Sequence, residues 1–340
     1  MKELKDFSRR DFLKLAGLGG VALAIPALGS GFKIIGAESE PYQTAINAMG
    51  TTVTFQVEGE VSSLAASLAV ERAAEEIQRL ETLMTRFPGG SDVYTLNSTG
   101  HLESPSSDVL QVLRSSTTSS EFSGGSFDVT VKPVLDLLNA YLAGQPFPSD
   151  AQFEAAKGLI GYDEVDIEDD FVALTKPGAG ITLDGIATGY IVDAAVNSLR
   201  SSGIRSALVN AGGTIGTIGS RGDGSPWEVG ISNPLNPIKT MVTLHLRDMA
   251  VATSGDYEDF YTADKTYYHI IDPFTARSPL VSHSATVIAP TAMQADPLGV
   301  TLMVDQPSEG VKLVESIHAD CLIYTDGGGI FSTSGIEEMT

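Results

Sequence analysis

The chain has 340 residues, of which 42% are hydrophobic, a proportion ordinary for a globular protein and sufficient for a large core. Its formal net charge of −22 argues against binding to nucleic acids or to anionic membranes. A single cysteine, Cys321, excludes an internal disulfide and a thiolate metal cluster. Because Cys321 lies in the strand-like stretch DCLIYTD, we expect it to be a buried core residue.

The N-terminal residues are typical of an export signal. The stretch SRRDFLK precedes an apolar run rich in glycine and alanine, and a twin-arginine pair in this setting indicates the Tat export machinery as a partner. The alternative is an amphipathic helix with an arginine pair by chance. We predict a signal peptide and leader over residues 1–37, cleaved within 29–37, and a folded domain over 38–340. The expected location is the periplasm or the outer face of the cytoplasmic membrane.

The first half of the folded domain is predicted to be mainly helical. Residues 47–59 alternate as in a strand, and residues 62–87 carry apolar side chains at helical spacing. The stretch PGGSDVYTLNSTG then breaks this helix. The next expected elements are a helix over 105–119, a short strand from Phe127 that continues into a helix, a helix over 149–159 and a hairpin over 165–178.

The second half is predicted to be mainly strands. A helix over 191–203 precedes strands with turns, among them a strand that contains His269, and the chain closes with a helix over 307–317 and a strand pair over 321–333. Helices and strands alternate irregularly and hairpins are interspersed, which predicts an α+β fold rather than a doubly wound sheet. With no repeat of fixed period and no low-complexity linker, we expect one unit.

Two glycine-containing stretches are candidates for nucleotide binding. The stretch TLDGIATGY, residues 182–190, has the glycines of a phosphate turn before a helix, but its middle residue, Thr188, carries no charge. The run VNAGGTIGTIG follows a strand as in a dinucleotide fingerprint. The chain then continues into a loop and a strand, whereas that fingerprint requires a helix. We therefore reject the Rossmann interpretation in favour of tight strand turns or a backbone close to a ligand.

Three other segments hold candidate functional residues, each with a structural alternative. Phe127, after a run of small residues, fits a strand in the core. His269 has aromatic and acidic neighbours that suit either a base near neutral pH or a core histidine. Asp296 before Pro297 is typical of the N-cap of its own helix. A carboxylate ligand for Mg²⁺ is the functional alternative for Asp296.

The order of these segments resembles that of a known family. The motifs are AMGTTVTF, TRFPGGSDVYTLN, GGSFDVTVKPVLDLL, LDGIATGYIVDAAVNSL, ALVNAGGTIGTIG, VATSGDYEDFY, YHIIDPFTARSP and VIAPTAMQADPLGVTLMV. Together they span residues 47–335 and resemble the ApbE family, the FAD:protein FMN transferases. The resemblance implies a T-fold-like α+β architecture of interlocked helices and mixed or antiparallel sheets. It also implies an exported or membrane-associated enzyme that uses FAD and Mg²⁺.

The resemblance also implies a reaction. A threonine hydroxyl of an exported acceptor flavoprotein, in a Ser/Thr-Gly-Ala-Thr-like motif, attacks the FAD diphosphate, so that FMN is joined to the acceptor and AMP leaves. A Mg²⁺-dependent FAD pyrophosphatase that releases FMN and AMP, and an FAD-binding protein without catalysis, are the alternatives. The oligomeric state stays open.

The family's functional positions fall on specific residues of this chain. The implied FAD contacts are Met49, Phe87, Ser126, Phe127, Asp128, Thr182, Asp184, Thr188 and Ile271. The implied catalytic residues are His269, as a base or diphosphate partner, and Asp272. The implied metal positions are Asp296, the carbonyl of Gly185, and Val300 with its neighbour Thr301.

Several of these positions depart from the family pattern. Thr182 stands where the family has an acid, Thr188 where it has a lysine, and Val300 where it has a threonine ligand for the metal. Thr301 does not simply replace that ligand, because one residue along a helix rotates the side chain by about 100°. Ala276 replaces a glycine after the Asp-Pro turn. We expect Asp184, two residues after the family's acid, to join the polar network of the site.

Overall fold

The computed structural model describes residues 41–257 and 259–340. The predicted signal and leader, residues 1–37, and residues 38–40 of the predicted folded domain lie outside the described residues. Within the described ranges, no helix has the length and apolar character needed to cross a membrane.

Strands and helices alternate irregularly along the chain. The strands are β1 (Tyr42–Ala48), β2 (Thr51–Val57), β3 (His101–Glu103), β4 (Val165–Ile167), β5 (Phe171–Leu174), β6 (Ala207–Ala211), β7 (Thr214–Ile218), β8 (Trp227–Asn233), β9 (Asn236–Leu246), β10 (Ala250–Gly255), β11 (Ser282–Ala289), β12 (Asp320–Thr325) and β13 (Ile330–Ser332). The helices are α1 (Ser63–Met84), α2 (Asp92–Thr99), α3 (Ser107–Phe122), α4 (Lys132–Leu142), α5 (Asp150–Lys157), α6 (Ala187–Ser201), α7 (Ala292–Val304), α8 (Pro307–Glu315) and α9 (Gly335–Glu338).

The strands form one large antiparallel sheet and two small ones. The large sheet has eight strands in the order β1-β2-β6-β7-β10-β11-β12-β13, and each neighbouring pair is antiparallel. β3, β5 and β4 form a second sheet, and β8 pairs with β9 in a third. This arrangement confirms the predicted α+β class with antiparallel sheets.

The central strands of the large sheet are covered on both faces, whereas the edge strands β1 and β13 are largely exposed. In β10, Val251 packs with Trp227 and Val229 of the β8–β9 hairpin, whereas the next residue, Ala252, packs with Leu298 of α7. Successive side chains of a strand point to opposite faces, so the hairpin covers one face and the helices cover the other. Cys321 lies in β12 and is fully buried, as predicted.

Helix α1 lies against the sheet and ends near the site. The Oγ of Ser62 caps its start by accepting the Ala65 N–H at 3.2 Å. Its buried residues follow helical spacing: Ala66, Ala69, Val70, Ala73, Ile77, Leu80 and Met84. The helix ends at Met84 rather than at the predicted residue 87. Arg86 and Phe87 therefore lie beyond the helix end.

Several predicted elements differ from the structure. The strand predicted over 47–59 is shorter in the structure, where it is β2, Thr51–Val57; Met49 and Gly50, with φ of 53° and 71°, form the turn that joins it to β1. The predicted strand after Phe127 is instead a turn of 3₁₀ helix, Val129–Val131, capped by Asp128. The stretch predicted only to break α1 contains α2, whose N-cap is Ser91.

Two of the predicted functional residues, His269 and Asp296, lie in a different local structure from the one expected. His269 does not lie in a strand but in a bend between the isolated bridges Phe260–Tyr268 and Asp272–Arg277. Asp296 is not the N-cap of its own helix, because α7 begins at Ala292 with Thr291 as its cap. The Thr291 hydroxyl accepts the Gln294 N–H at 3.3 Å and so replaces the expected aspartate cap.

Helices α6 and α7 approach each other through Gly189. A Cβ at this position would lie 2.4 Å from the carbonyl oxygen of Ala292 and 2.8 Å from the Cα of Met293. Because both neighbours are backbone atoms, a side chain can be accommodated only if one helix moves.

We predict that Gly189→Ala lowers the free energy of unfolding by about 1–3 kcal/mol, the usual effect of overpacking. Chemical denaturation measures this change. Gly89→Ala is the matched control, since a Cβ there meets no atom within 4 Å. Equal stability of the two variants would contradict the tight helix contact.

Candidate active site

Helices α6 and α7 exchange hydrogen bonds at their first turns. The start of α6 has no side-chain cap, because its N-cap residue, Ile186, has an apolar side chain. Instead, the N–H of Gly189 donates to Oδ2 of Asp296 in α7 at 3.0 Å. In return, Asp193 of α6 accepts the N–H groups of Ala292 and Met293 at 2.8 and 2.9 Å. Each helix thus supplies the carboxylate that satisfies the other's free N–H groups.

Asp296 is a buried carboxyl group with one oxygen left for a ligand. Its side chain bonds Gly189 through Oδ2, and the residue is 8% exposed. Burial raises the pKa of Asp296 to about 7; the Gly189 N–H opposes this rise, and the negative charges of Asp193 and Asp184 add to it. A cation at Oδ1 would favour the ionised form and offset the burial.

The turn before α6 packs directly on α7. A Cβ at Gly185 would lie 3.0 Å from Cγ2 of Val300 and 3.2 Å from Cε2 of Phe127. The structure therefore brings Gly185, Val300 and Phe127 together. Within the turn, the buried Thr182 accepts the Asp184 N–H through its hydroxyl at 3.3 Å.

The residues around Asp296 fit a cation that keeps water and phosphate ligands. The described residues hold no group of three or more His, Cys, Asp or Glu side chains that could bind a metal ion. Mg²⁺ needs only one or two carboxylates in addition to water and phosphate. Val300 has no donor atom, and the buried hydroxyl of Thr301 donates to the Pro297 carbonyl at 2.9 Å. Asp296 and the Gly185 carbonyl are therefore the candidate ligands.

The segment 126–128 forms a hydrogen-bonded loop beside this turn. The Ser126 hydroxyl donates to Asp305, just after α7, at 2.5 Å, and Phe127 is buried. Oδ1 of Asp128 accepts the N–H and the hydroxyl of Thr130, and Oδ2 accepts the Tyr162 N–H. Burial raises the pKa of Asp128, and these three donors oppose the rise. The carboxylate of Asp128 thus organises the loop.

Met49 and Phe87 lie at the C-terminal end of α1. The Met49 N–H donates to Glu81, in the last turn of that helix, at 2.8 Å. Phe87 is 62% exposed, and the guanidinium of Arg86 lies over its ring, 4.7 Å from the ring centroid. Ile271, by contrast, is buried in a cluster with Val131. Phe87 therefore offers a free aromatic face, whereas the Ile271 side chain belongs to the core.

The segment 269–276 packs against Gly125, the residue just before the 126–128 loop. The Asp272 carboxylate accepts the Phe274 N–H and the Thr275 hydroxyl, both at 2.8 Å, so it shapes the turn. The Phe274 ring lies 3.5 Å from the position of a Cβ on Gly125. His269 lies partly buried beside the Tyr268 ring, edge to face with it. Ala276 is buried at φ 53°, the left-handed conformation that favours glycine.

The structure also adds residues that the sequence reasoning missed. One of them is Arg86, which forms an ion pair at 2.9 Å with Asp184, the residue expected to join the polar network of the site. Arg86, Asp193 and Asp305 were not predicted, although Arg86 is adjacent to Phe87 in the motif TRFPGG. Thr188 lies beside Gly189 in the first turn of α6 and is partly buried.

The sequence model of the ApbE family matches residues 49–323. This chain belongs to the ApbE family. It is 29% identical over 317 residues to the FAD:protein FMN transferase of Vibrio cholerae, a match that covers 89% of this chain and 94% of that protein. It is 28% identical over 313 residues to the FAD:protein FMN transferase of Haemophilus influenzae, covering 86% and 89% of the two chains.

Solved ApbE structures have the same fold. The ApbE protein of Thermotoga maritima aligns with a TM-score of 0.81 and 27% identity, over 88% of this chain and 99% of that one. The flavin transferase ApbE from Vibrio cholerae aligns with a TM-score of 0.76 and 27% identity, over 88% and 100% of the two chains. These matches confirm the predicted family, fold and enzyme class.

The pKa of Asp296 predicts a specific pH dependence of stability for this ApbE-family chain. Its folded pKa of about 7 lies above the ordinary aspartate value of 3.8, so the folded state binds more protons between these values. Stability is therefore lost as the pH rises from about 4 to about 7, and the loss is complete above the folded pKa.

In metal-free buffer, Asp296→Asn should raise the free energy of unfolding at pH 8 by on the order of 2 kcal/mol and leave it nearly unchanged at pH 4. The Asn side chain can still accept the Gly189 N–H. Denaturation at a series of pH values tests this, with the exposed Asp169→Asn as control. A stability difference that does not depend on pH would contradict the assigned protonation.

Proposed function

We propose that this protein transfers FMN from FAD to a threonine hydroxyl of an exported acceptor flavoprotein, with Mg²⁺ and with release of AMP. The relatives named FAD:protein FMN transferase support the enzyme class in this proposal. The observation that carries it in this chain is the buried carboxyl of Asp296, next to the turn at Gly185, with one oxygen left for a ligand.

Mg²⁺ fits the proposed site with Asp296 and the Gly185 carbonyl as protein ligands. When bound, it would neutralise charge that develops on the FAD phosphates. Val300 leaves one position that water can fill, since Mg²⁺ readily retains water. The N–H groups at the start of α6 add a partial positive charge beside the phosphates.

The protein's own side chains would position the reacting groups. Phe87 offers its exposed face for stacking on the flavin, and the 126–128 loop forms an adjacent wall. The acceptor threonine oxygen forms a bond to the FMN phosphorus, and the bond from this phosphorus to the oxygen of the AMP phosphate breaks. His269 would accept the threonine proton, and Asp272 would hold the turn that follows it.

The acceptor and the location belong to the same proposal. We infer an acceptor with a Ser/Thr-Gly-Ala-Thr-like motif, from the family resemblance. The motif SRRDFLK supports export by the Tat machinery to the periplasm or to the outer face of the cytoplasmic membrane.

Incubation of the protein with FAD, Mg²⁺ and a peptide that carries this motif should give a peptide–FMN adduct by mass spectrometry and an equal amount of AMP. A peptide with alanine in place of the acceptor threonine should give no adduct. Asp296→Asn should form no detectable adduct, because it removes the charged ligand of the metal.

The same assay separates the alternatives. Free FMN and AMP without an adduct would indicate an FAD pyrophosphatase, in which water replaces the acceptor threonine. Tight FAD binding that does not depend on Mg²⁺, with neither product, would indicate a binding protein without catalysis. Either result would overturn the proposed transfer.

A further inference from the structure

Arg86 links the end of α1 to the turn before α6. Its Nε donates to Oδ2 of Asp184 at 2.9 Å, across 98 residues of sequence. Its side chain is 17% exposed, whereas that of Asp184 is 57% exposed. The guanidinium also lies 4.7 Å from the centroid of the Phe87 ring. Two neighbours thus hold Arg86 in one orientation.

In this orientation the two Nη atoms of Arg86 are not used by its bond to Asp184, on a side chain that is 17% exposed. The ion pair uses Nε, so the two Nη atoms with their four N–H groups can reach another acceptor. A guanidinium fixed by a carboxylate and an aromatic ring loses little entropy when it binds a phosphate with two parallel hydrogen bonds. As a mere surface ion pair, the contact would contribute little to stability.

The surroundings of Arg86 are strongly acidic. Asp184 acts electrostatically on Asp296, so the ion pair lies near the candidate cation site. The charges of Arg86 and Asp184 also reach the buried Tyr261, which follows β10: Arg86 lowers its pKa and Asp184 raises it. The first turn of α6 holds no basic residue, since this helix has its basic residue, Arg200, in its last turn. A diphosphate that enters between Asp184 and Asp296 therefore needs a cation from outside α6.

Lys132 is another cation that could be considered for binding the diphosphate, but its geometry suits this role less well than that of Arg86. Its Nζ pairs with Asp136 in its own helix at 2.5 Å. Its Cδ lies 2.9 Å from the position of a Cβ on Gly180, so the stem is packed against the chain. Arg86, by contrast, bonds directly to the turn that contains Gly185.

We propose that Arg86 binds the diphosphate of FAD through its Nη atoms, while Asp184 holds its Nε and the Phe87 ring supports its face. This inference rests on the proposed function. It makes Arg86 a residue that selects dinucleotide diphosphates over flavins without a diphosphate. It also gives Asp184 the role of a positioning residue, which acts on the substrate through Arg86.

Isothermal titration of the metal-free protein with FAD, ADP and riboflavin tests this inference. Arg86→Gln should raise the Kd for FAD and for ADP about tenfold or more, because charged bonds to the diphosphate are lost. The Kd for riboflavin should stay within about twofold. Arg86→Lys should weaken FAD and ADP binding less than Arg86→Gln, because a lysine keeps the charge but not the two parallel bonds.

The matched control is Arg114→Gln, which removes another arginine from an ion pair, with Asp169 at 2.6 Å. It should leave all three affinities unchanged. Unchanged FAD and ADP binding by Arg86→Gln would overturn this inference but not the proposed function. An equal loss of riboflavin binding would also overturn it, since that loss indicates a structural role. If the unaltered protein binds no FAD, the proposed function fails and the inference fails with it.

Discussion

The Gly189 N–H of α6 donates to the Asp296 carboxylate of α7, and the Asp193 carboxylate of α6 accepts the first two N–H groups of α7. These bonds form only because Gly189 has no Cβ and the two backbones can approach closely. Once the helices are in contact, both carboxylates are largely shielded from water, and burial raises the pKa of each. The contact thus stabilises the helix pair and at the same time buries acids that a cation would compensate.

Hydrogen bonds between distant segments bring the parts of the site to these helices. The hairpin turn at Met49 reaches α1 through Glu81, and Arg86 after α1 reaches Asp184 in the turn before α6. The Ser126 hydroxyl reaches Asp305, just after α7. Each of these bonds joins segments that are distant in sequence. The site is therefore assembled by the fold and is not contained in one motif.

The sequence predicted those features that depend on local pattern. Alternation and turn residues predicted the hairpins over 165–178 and 321–333, and the strand with Cys321, which the structure contains. Helical spacing predicted α1 almost to its ends. The irregular alternation of helices and strands predicted the α+β class, and the order of motifs identified the family.

The sequence could not predict features that depend on distant partners. Asp296 before Pro297 has the local pattern of an N-cap, but its carboxylate caps a helix 107 residues away. The segment after Phe127 has β-branched residues, yet Asp128 caps it as a 3₁₀ turn with a further bond from Tyr162. Arg86 had no predicted role, because its partner Asp184 lies 98 residues away in the sequence. Local patterns contain no information about such contacts.

Burial raises the pKa of Asp296 to about 7, so this carboxyl is mostly protonated at pH 6.5. Under the proposed function, Asp296 loses that proton when Mg²⁺ binds together with FAD. Titration calorimetry of Mg²⁺ into the FAD-loaded protein, at pH 6.5 in buffers of different ionisation enthalpy, measures the protons released. The account predicts the release of most of one proton per protein, and no release from Asp296→Asn. Binding of Mg²⁺ without proton release, or with equal release from Asp296→Asn, would contradict it.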